Sequence, residues 1–427
     1  MSKDSSFDLP EVQAASSTQA TAVTQKYQKL HSSVIRGPYL QQGTHSSIII
    51  RWATSIPVQG SILYGTEPHQ LLFSATETAV SCDHTVKLQG LEPNTKYYYA
   101  IAHSTEIDEG FFFVTAPKQP KPTRIWVVGD SGRGNDIAAQ VRDGYFKFTG
   151  TRHTDLWLML GDNAYDTGTW DEYQQGVFEM YPHLRNSVLW TAIGNHDAGS
   201  ASSEWQTGPY YELFNPPTQG EAGGIPSGTA AYYSFDYGNI HFICLDSYGS
   251  DRTSTGAMLT WVAKDAAASN QDWKIAFWHH PPYTKGSHDS DTEIELIEMR
   301  ERALPILEAA GVDLVLSGHS HSYERSYLID GHYGTSDTFR SQMKRDKGSG
   351  QEDKSGAYCK SSAPHAGTVY IVAGTSARAD EVSSHPAMHT SLSVPGSLVL
   401  DVEGKRLDVE FIDDRGEVQD YFTMKKR

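Results

Sequence analysis

No apolar run in the chain approaches the roughly 18 residues that a membrane-spanning helix needs, and no basic patch followed by an apolar stretch opens it. Neither a membrane span nor a signal peptide is visible, which leaves a cytoplasmic protein or a mature-like chain. Cysteine is scarce. Cys82, Cys244 and Cys359 lie far apart, which excludes a disulfide scaffold and a thiolate metal cluster and allows at most one bridge. Cys244 sits in the apolar run Ile240-His241-Phe242-Ile243-Cys244-Leu245 and reads as a small buried hydrophobe. Positive charge is also short: 35 Lys and Arg face 52 Asp and Glu, a formal net charge of −17. That balance repels nucleic-acid phosphates and anionic membranes, so neither is expected as a partner, and an anionic substrate needs a concentrated local positive centre. No internal repeat is found, and no Ser or Cys nucleophile stands at an elbow or in a phosphate-cradling loop.

With 427 residues the chain is longer than one compact core usually grows, and two domains are the expectation. Residues 1–33, rich in Ser, Thr, Ala and Gln, read as a flexible leader. Residues 34–116 carry short β-type segments such as Ser47-Ile48-Ile49-Ile50-Arg51-Trp52 and Tyr97-Tyr98-Tyr99-Ala100-Ile101, punctuated by Gly, Pro, Asn and Asp, the rhythm of an all-β sandwich. Within it, Leu91-Glu92-Pro93-Asn94-Thr95-Lys96-Tyr97 resembles the tyrosine corner of fibronectin type III domains, with Trp52 as core anchor. Residues 117–122 make a stiff Pro/Lys linker. From 123 to 427 strand-like runs at 124–128, 155–160, 188–193, 274–278 and 312–316 alternate with helical stretches near 135–148, 170–180, 256–269 and 294–310, an α/β pattern. Two later β runs, 368–373 and 397–414, predict a second sheet packed on the first.

Those five strand-like runs end in polar residues suited to metals: Gly129-Asp130-Ser131-Gly132, Gly161-Asp162-Asn163-Ala164-Tyr165, Gly194-Asn195-His196-Asp197, His279-His280-Pro281-Pro282 and Gly318-His319-Ser320-His321. Open α/β sheets collect ligands at the carboxyl ends of their strands, so the five tips are expected to converge although they span about 190 residues. Asp130, Asp162 and Tyr165 are anionic oxygen donors for a hard, highly charged ion; Asn195, His279 and His319 are neutral donors for a divalent one, with Asp162 between. Three anionic ligands leave a trivalent–divalent pair net positive, which supplies the local positive centre.

The five tips, in this order, resemble the purple acid phosphatases, dinuclear metallophosphoesterases with an N-terminal fibronectin-like domain, over roughly residues 34–427. The resemblance implies a four-layer α/β/β/α catalytic domain behind the sandwich, and a ferric ion on Asp130, Tyr165 and His321. It further implies a divalent zinc, iron or manganese on Asn195, His279 and His319, with Asp162 on both. In the wider superfamily the first tip reads Asp-x-His; here that position is Gly132, and Tyr165 stands where purple enzymes supply a phenolate. His279 rather than His280 is the implied ligand, from the pattern His-x-Pro. His196 matches the histidine that contacts substrate phosphate. His288 matches the first of a histidine pair in plant members, whose second is Asp289 here. Asp197 either orients His196 or plays a capping or solvated role. Arg325 reads as a structural ion pair beside Glu324 rather than a phosphate clamp. Gly132-Arg133-Gly134 is a weak phosphate-binding signal against a plain turn. The polar, Gly/Ser-rich stretch 331–366 is either disordered or a functional loop, a rim for anionic substrates or, preferred, a solvated charged loop.

The implied activity is acid-phosphatase hydrolysis of small-molecule phosphate monoesters, with a metal-bound hydroxide as nucleophile. The alternative is a phosphodiesterase or nucleotide-cleaving relative. A binding or adhesion protein with an inert metal domain is disfavoured by the complete ligand set. The family resemblance implies a secreted or periplasmic compartment.

Overall fold

A computed structural model describes residues 13–14, 34–102, 110–361 and 363–427; the leader expected at 1–33 lies almost wholly outside them. The chain divides into two compact units, residues 1–118 with 182–188, and residues 119–181 with 189–427.

The first unit is built from β1 (Val34–Gln41), β2 (Ser47–Gly65), β3 (Phe73–Gln89), β4 (Lys96–Ile101) and β5 (Phe112–Val114). Every pairing among them is antiparallel: β1 with β2, β2 with β3 and β4, and β4 with β5. Trp52 is buried and stacks on His84 at 4.6 Å, and the Tyr97 hydroxyl accepts from the Glu92 N–H at 3.0 Å. This is the expected tyrosine corner, tying the start of a strand to the loop before it.

The second unit contains two sheets. One runs β7 (Leu156–Met159), β6 (Thr123–Val128), β17 (Gly396–Glu403), β18 (Arg406–Asp413), β19 (Val418–Lys426) and β14 (Tyr358–Lys360). β8 (Val188–Thr191) lies beyond β7, where the Ala192 N–H donates to Met159 O at 2.8 Å. The other sheet runs β9 (Tyr233–Tyr237), β10 (Ile240–Cys244), β11 (Trp273–Phe277), β12 (Leu314–Ser317), β15 (Val369–Ala373), β13 (Tyr323–Ser326) and β16 (Met388–Leu392). Aromatic pairs join the two faces: Trp190 on Phe235 at 3.7 Å and Tyr323 on Phe411 at 4.0 Å. Helices cover the outer sides. Tyr145 of α1 (Asp136–Thr149) stacks on Trp126 at 4.2 Å, while α2 (Ala257–Ala268) and α3 (residues 294–309) pack on the other sheet through Leu259, Val262, Leu304 and Leu307. Midway, α3 widens to π-type turns over Met299–Ala303, just before Pro305, which cannot donate to the turn preceding it. The fold is thus α/β/β/α, and six consecutive buried residues in β6 reflect a strand covered on both faces.

The sorting of strands into sheets differs from the sequence expectation. β11 and β12 do not share a sheet with β6, β7 and β8; they lie in the opposite one, where Val369–Ala373 pairs parallel to β12. The 396–413 hairpin instead extends the first sheet, antiparallel to β6. Apolar runs specify a strand but not its neighbour. Over its described residues the 331–366 stretch is ordered; four of its six basic residues, Arg340, Arg345, Lys347 and Lys354, are exposed, as expected of a solvated charged loop, and part of it is tied to the domain. Lys360 is buried on Asp313 at 2.8 Å, Arg345 pairs with Asp330, Arg340 donates to the Asp337 and Phe339 carbonyls, and Lys344 lies 3.3 Å from the Tyr327 ring centre. Cys244 is fully buried as a small apolar residue. Among the described residues no helix is long and apolar enough to cross a membrane.

Candidate metal centre

The five tips converge, at the carboxyl ends of strands from both sheets. Asp130, Asp162 and His319 each adopt a positive φ, 56°, 54° and 65°, a conformation that costs a non-glycine residue about 1–3 kcal/mol and clusters at functional sites. Glycines let the tips approach one another: a Cβ on Gly194 would stand 2.2 Å from Asp162 Oδ1. At Gly132 it would lie 2.2 Å from the Asn163 carbonyl carbon, so the histidine of an Asp-x-His tip has no room here.

Two nests of donor atoms share Asp162. In one, the Tyr165 Oη lies 3.0 Å from Asp130 Oδ1 and 2.9 Å from Asp162 Oδ2, with His321 Nε2 3.7 Å from Asp130 Oδ1. In the other, His279 Nε2 lies 3.1 Å from Asn195 Oδ1, 3.3 Å from Asp162 Oδ1 and 3.2 Å from His319 Nδ1. Asp162 therefore turns one oxygen into each nest. All seven residues assigned from the tips are brought together.

The imidazoles are oriented from behind. His279 Nδ1–H donates to the Leu160 carbonyl at 3.0 Å, His321 Nδ1–H to Asp380 at 3.1 Å and His319 Nε2–H to Glu293 at 3.2 Å. Each ring then presents its other nitrogen to the centre. Burial pushes His319 and His321 down to about 4, opposed by Glu293 and Asp380 respectively, so both imidazoles are neutral and available as ligands. Burial disfavours the Asp162 carboxylate, but His279 and His196 hold it below the usual range. Burial pushes Asp130 up, against the pull of His279, with the adjacent Asp162 adding to the rise. Burial and both carboxylates hold the Tyr165 phenol well above its usual range. Among the described residues no lysine or arginine forms an ion pair with Asp130 or Asp162. Burial lowers His279 but Asp162 outweighs it and raises the imidazole to about 9; two buried carboxylates, a phenol between them and three imidazoles with a nitrogen facing inward are a donor set that fits a pair of metal ions.

His196 and His288 stand at the edge of the nests, each about one-third exposed. The His196 Nδ1–H donates to Asp166 O at 2.6 Å and its Nε2 lies 3.9 Å from Asp162. The His288 ring packs on His319 at 3.7 Å, with Nδ1 2.9 Å from Glu293. Asp289 turns away to Lys285. Asp197 is neither the orienting partner of His196 nor solvated: it is fully buried and accepts from Tyr173 Oη at 2.6 Å and from the Gly194 and Asn163 N–H groups. Arg325 is a structural ion pair, but with Asp420 at 2.6 Å rather than Glu324, which faces Thr284. Glu293 and Asp380 escape a search for strand tips because they lie on loops; the polar end of β15, Gly374-Thr375-Ser376, is the nearest sequence signal for Asp380.

Residues 123–323 match the calcineurin-like phosphoesterase family model, and residues 35–115 match that of the purple acid phosphatase N-terminal domain. The chain pairs a purple acid phosphatase N-terminal domain with a calcineurin-like phosphoesterase domain and is similar to the purple acid phosphatases. Purple acid phosphatase 23 of Arabidopsis thaliana is 30% identical over 280 residues, 58% of each chain. Purple acid phosphatase 1 of Ipomoea batatas is 28% identical over 328 residues, 71% of this chain and 65% of that one. The chain thus spans less than two-thirds of these relatives' length. In fold it is similar to a purple acid phosphatase from yellow lupin (Lupinus luteus) seeds, at 18% identity and a TM-score of 0.67, over 91% of this chain and 74% of that one.

Proposed function

We propose that the chain is an acid-phosphatase-type phosphoric monoester hydrolase acting on small-molecule phosphate esters. The observation that carries this reading is the Asp162 carboxylate, one oxygen in each of two donor nests. In this reading Asp130, Tyr165, His321 and Asp162 hold a ferric ion, and Asn195, His279, His319 and Asp162 hold divalent zinc, iron or manganese. Such a pair, when bound, polarises phosphoryl oxygens and lowers the pKa of a coordinated water. The chain's own groups do the rest. His196, tethered through Nδ1, keeps Nε2 free to contact a phosphoryl oxygen. His288, held by Glu293, keeps its Nε2 free to hand a proton to the leaving-group oxygen. Glu293 and Asp380 fix the tautomers of His319 and His321. A secreted or periplasmic compartment goes with this reading.

The test is metal analysis of the isolated protein together with kcat/KM on matched aryl monoesters and diesters. Two ions per chain and a monoester preference are expected; one ion overturns the centre, and a tenfold diester preference overturns the substrate class. Iron-loaded protein is expected to be purple and Tyr165→Phe to bleach it, while a colourless protein with ferric ion in that nest would refute the phenolate.

A further inference from the structure

Arg133 follows the first tip directly, and its guanidinium carbon lies 4.1 Å from the centre of the Tyr165 ring. Its backbone is pinned to the loop that carries Asp162 and Tyr165: the Gly132 N–H donates to Asp162 O at 3.2 Å, and Gly132 O accepts from the Tyr165 N–H at 3.2 Å. The side chain is therefore projected from a fixed point. Among the described residues it forms no ion pair, and its Nε is buried without a hydrogen-bond partner. The other arginine whose charge reaches His321 is Arg378, which is paired with Asp380 at 2.8 Å.

A guanidinium held this close to a centre that gathers cations faces their repulsion once they bind, which the Tyr165 phenolate offsets in part and a bound anion would offset further. The unpartnered fork of donors, the fixed backbone and the position over Tyr165 suit a ligand that brings its own negative oxygens. Resting on the phosphoesterase reading above, we infer that Arg133 binds the phosphoryl group of the substrate and sets the preference for dianionic monoesters over monoanionic diesters. Its donors take the non-bridging oxygen that a monoester leaves free and a diester blocks with a second ester group. His196 packs on the same Tyr165 ring at 4.3 Å, so both groups lie against the phenol.

The experiment compares wild type, Arg133→Gln and Arg133→Lys in metal-loaded protein. Inorganic phosphate binding is read by calorimetry, and KM and kcat on matched aryl monoesters and diesters. For Arg133→Gln, the monoester KM and the phosphate Kd rise roughly ten- to a hundred-fold, as expected for a lost charge-assisted hydrogen bond. The diester KM changes less than threefold, and metal content and the visible band stay as in wild type. Arg133→Lys recovers most of the phosphate affinity. An unchanged phosphate Kd, or equal losses on both esters, overturns the assignment; so does loss of metal in both variants, which makes Arg133 structural. Should Arg133→Gln not fold, Arg133→Lys carries the same comparison through a smaller shift confined to the monoester. A wild type that hydrolyses neither ester overturns the function reading itself, a result distinct from a normal wild type with an indifferent Arg133→Gln.

Discussion

The second unit holds two groups of aspartates and histidine, and they are built to opposite ends. In one, His241 places Nδ1 2.7 Å from Asp236 and Nε2 2.9 Å from Asp265. The remaining oxygen of Asp265 accepts from the Ile225 N–H at 2.7 Å and the Ser234 hydroxyl at 2.9 Å. Charge and hydrogen bonds close within the protein. In the other, Asp130 and Asp162 share the Tyr165 hydroxyl as donor and accept from the His319 and His196 N–H groups at 2.7 and 3.0 Å, while the imidazoles turn one N–H outward to Leu160, Glu293 and Asp380 and the other nitrogen inward. The residue types are nearly the same. What separates them is that the open cluster adds a phenol and two inward-facing imidazoles that burial holds low, donors beyond those its own carboxylates need.

Asp162→Ala tests the open cluster most severely. One carboxylate serves both nests, so both metals and at least a thousand-fold of activity should be lost together, read as ions per chain and turnover. Two tightly held ions in an active variant would remove the bridge. His196→Ala and His288→Ala come next, slowing turnover by roughly ten- to ten-thousand-fold with the metals retained, as expected for lost phosphate-positioning or proton-donating groups. If His288→Ala matches wild type on several esters, the leaving-group role assigned to it fails.

The closed cluster should respond in stability rather than chemistry. Asp265→Ala leaves an imidazolium beside only one carboxylate and strips the Ile225 N–H and Ser234 hydroxyl of their acceptor. It should cost about 3–5 kcal/mol in denaturant unfolding, while the folded fraction keeps its metals and its KM. Loss of metal at normal stability would show that the two clusters are not independent.

The contrast also marks what the sequence could tell. The convergence of the centre was legible because each of five apolar runs stops at a tip bearing carboxylate, amide or imidazole donors, and chain geometry sends such tips to one end of a sheet; His321 as a ligand, and His279 over His280, rested on the family resemblance. The tyrosine corner was legible for a similar reason: its pattern is local, from Leu91 to Tyr97. The distribution of strands between sheets was not, since a run such as Val369–Ala373 encodes its burial and not its neighbour. Nor were Glu293 and Asp380, which reach the centre from loops, or the closed Asp236–His241–Asp265 group, where His241 looked like one more residue of an apolar run. Arg133 stood between two readings that only its lack of a partner separates.

The smallest expected effect is a pH slope that belongs to the closed cluster alone. Burial by itself would lower the His241 pKa, but its hydrogen bonds to Asp236 and Asp265 raise it from 6.5 to about 9. A group whose folded pKa is raised contributes stability that is fully present below its unfolded value and is lost as pH climbs through the folded one. Stability should therefore fall between about pH 6.5 and 9, by at most ~1.4 kcal/mol per pH unit for the one proton involved. His241→Gln, which cannot carry that proton, should flatten the slope in this window while leaving metal content untouched. The measurement is urea unfolding of wild type and variant at several pH values across the window, with metals held saturating so that proton competition at the open cluster does not contribute. An identical slope in His241→Gln would mean that the proton resides elsewhere and that the closed cluster is neutral, held by shared hydrogen bonds rather than by an imidazolium between two carboxylates.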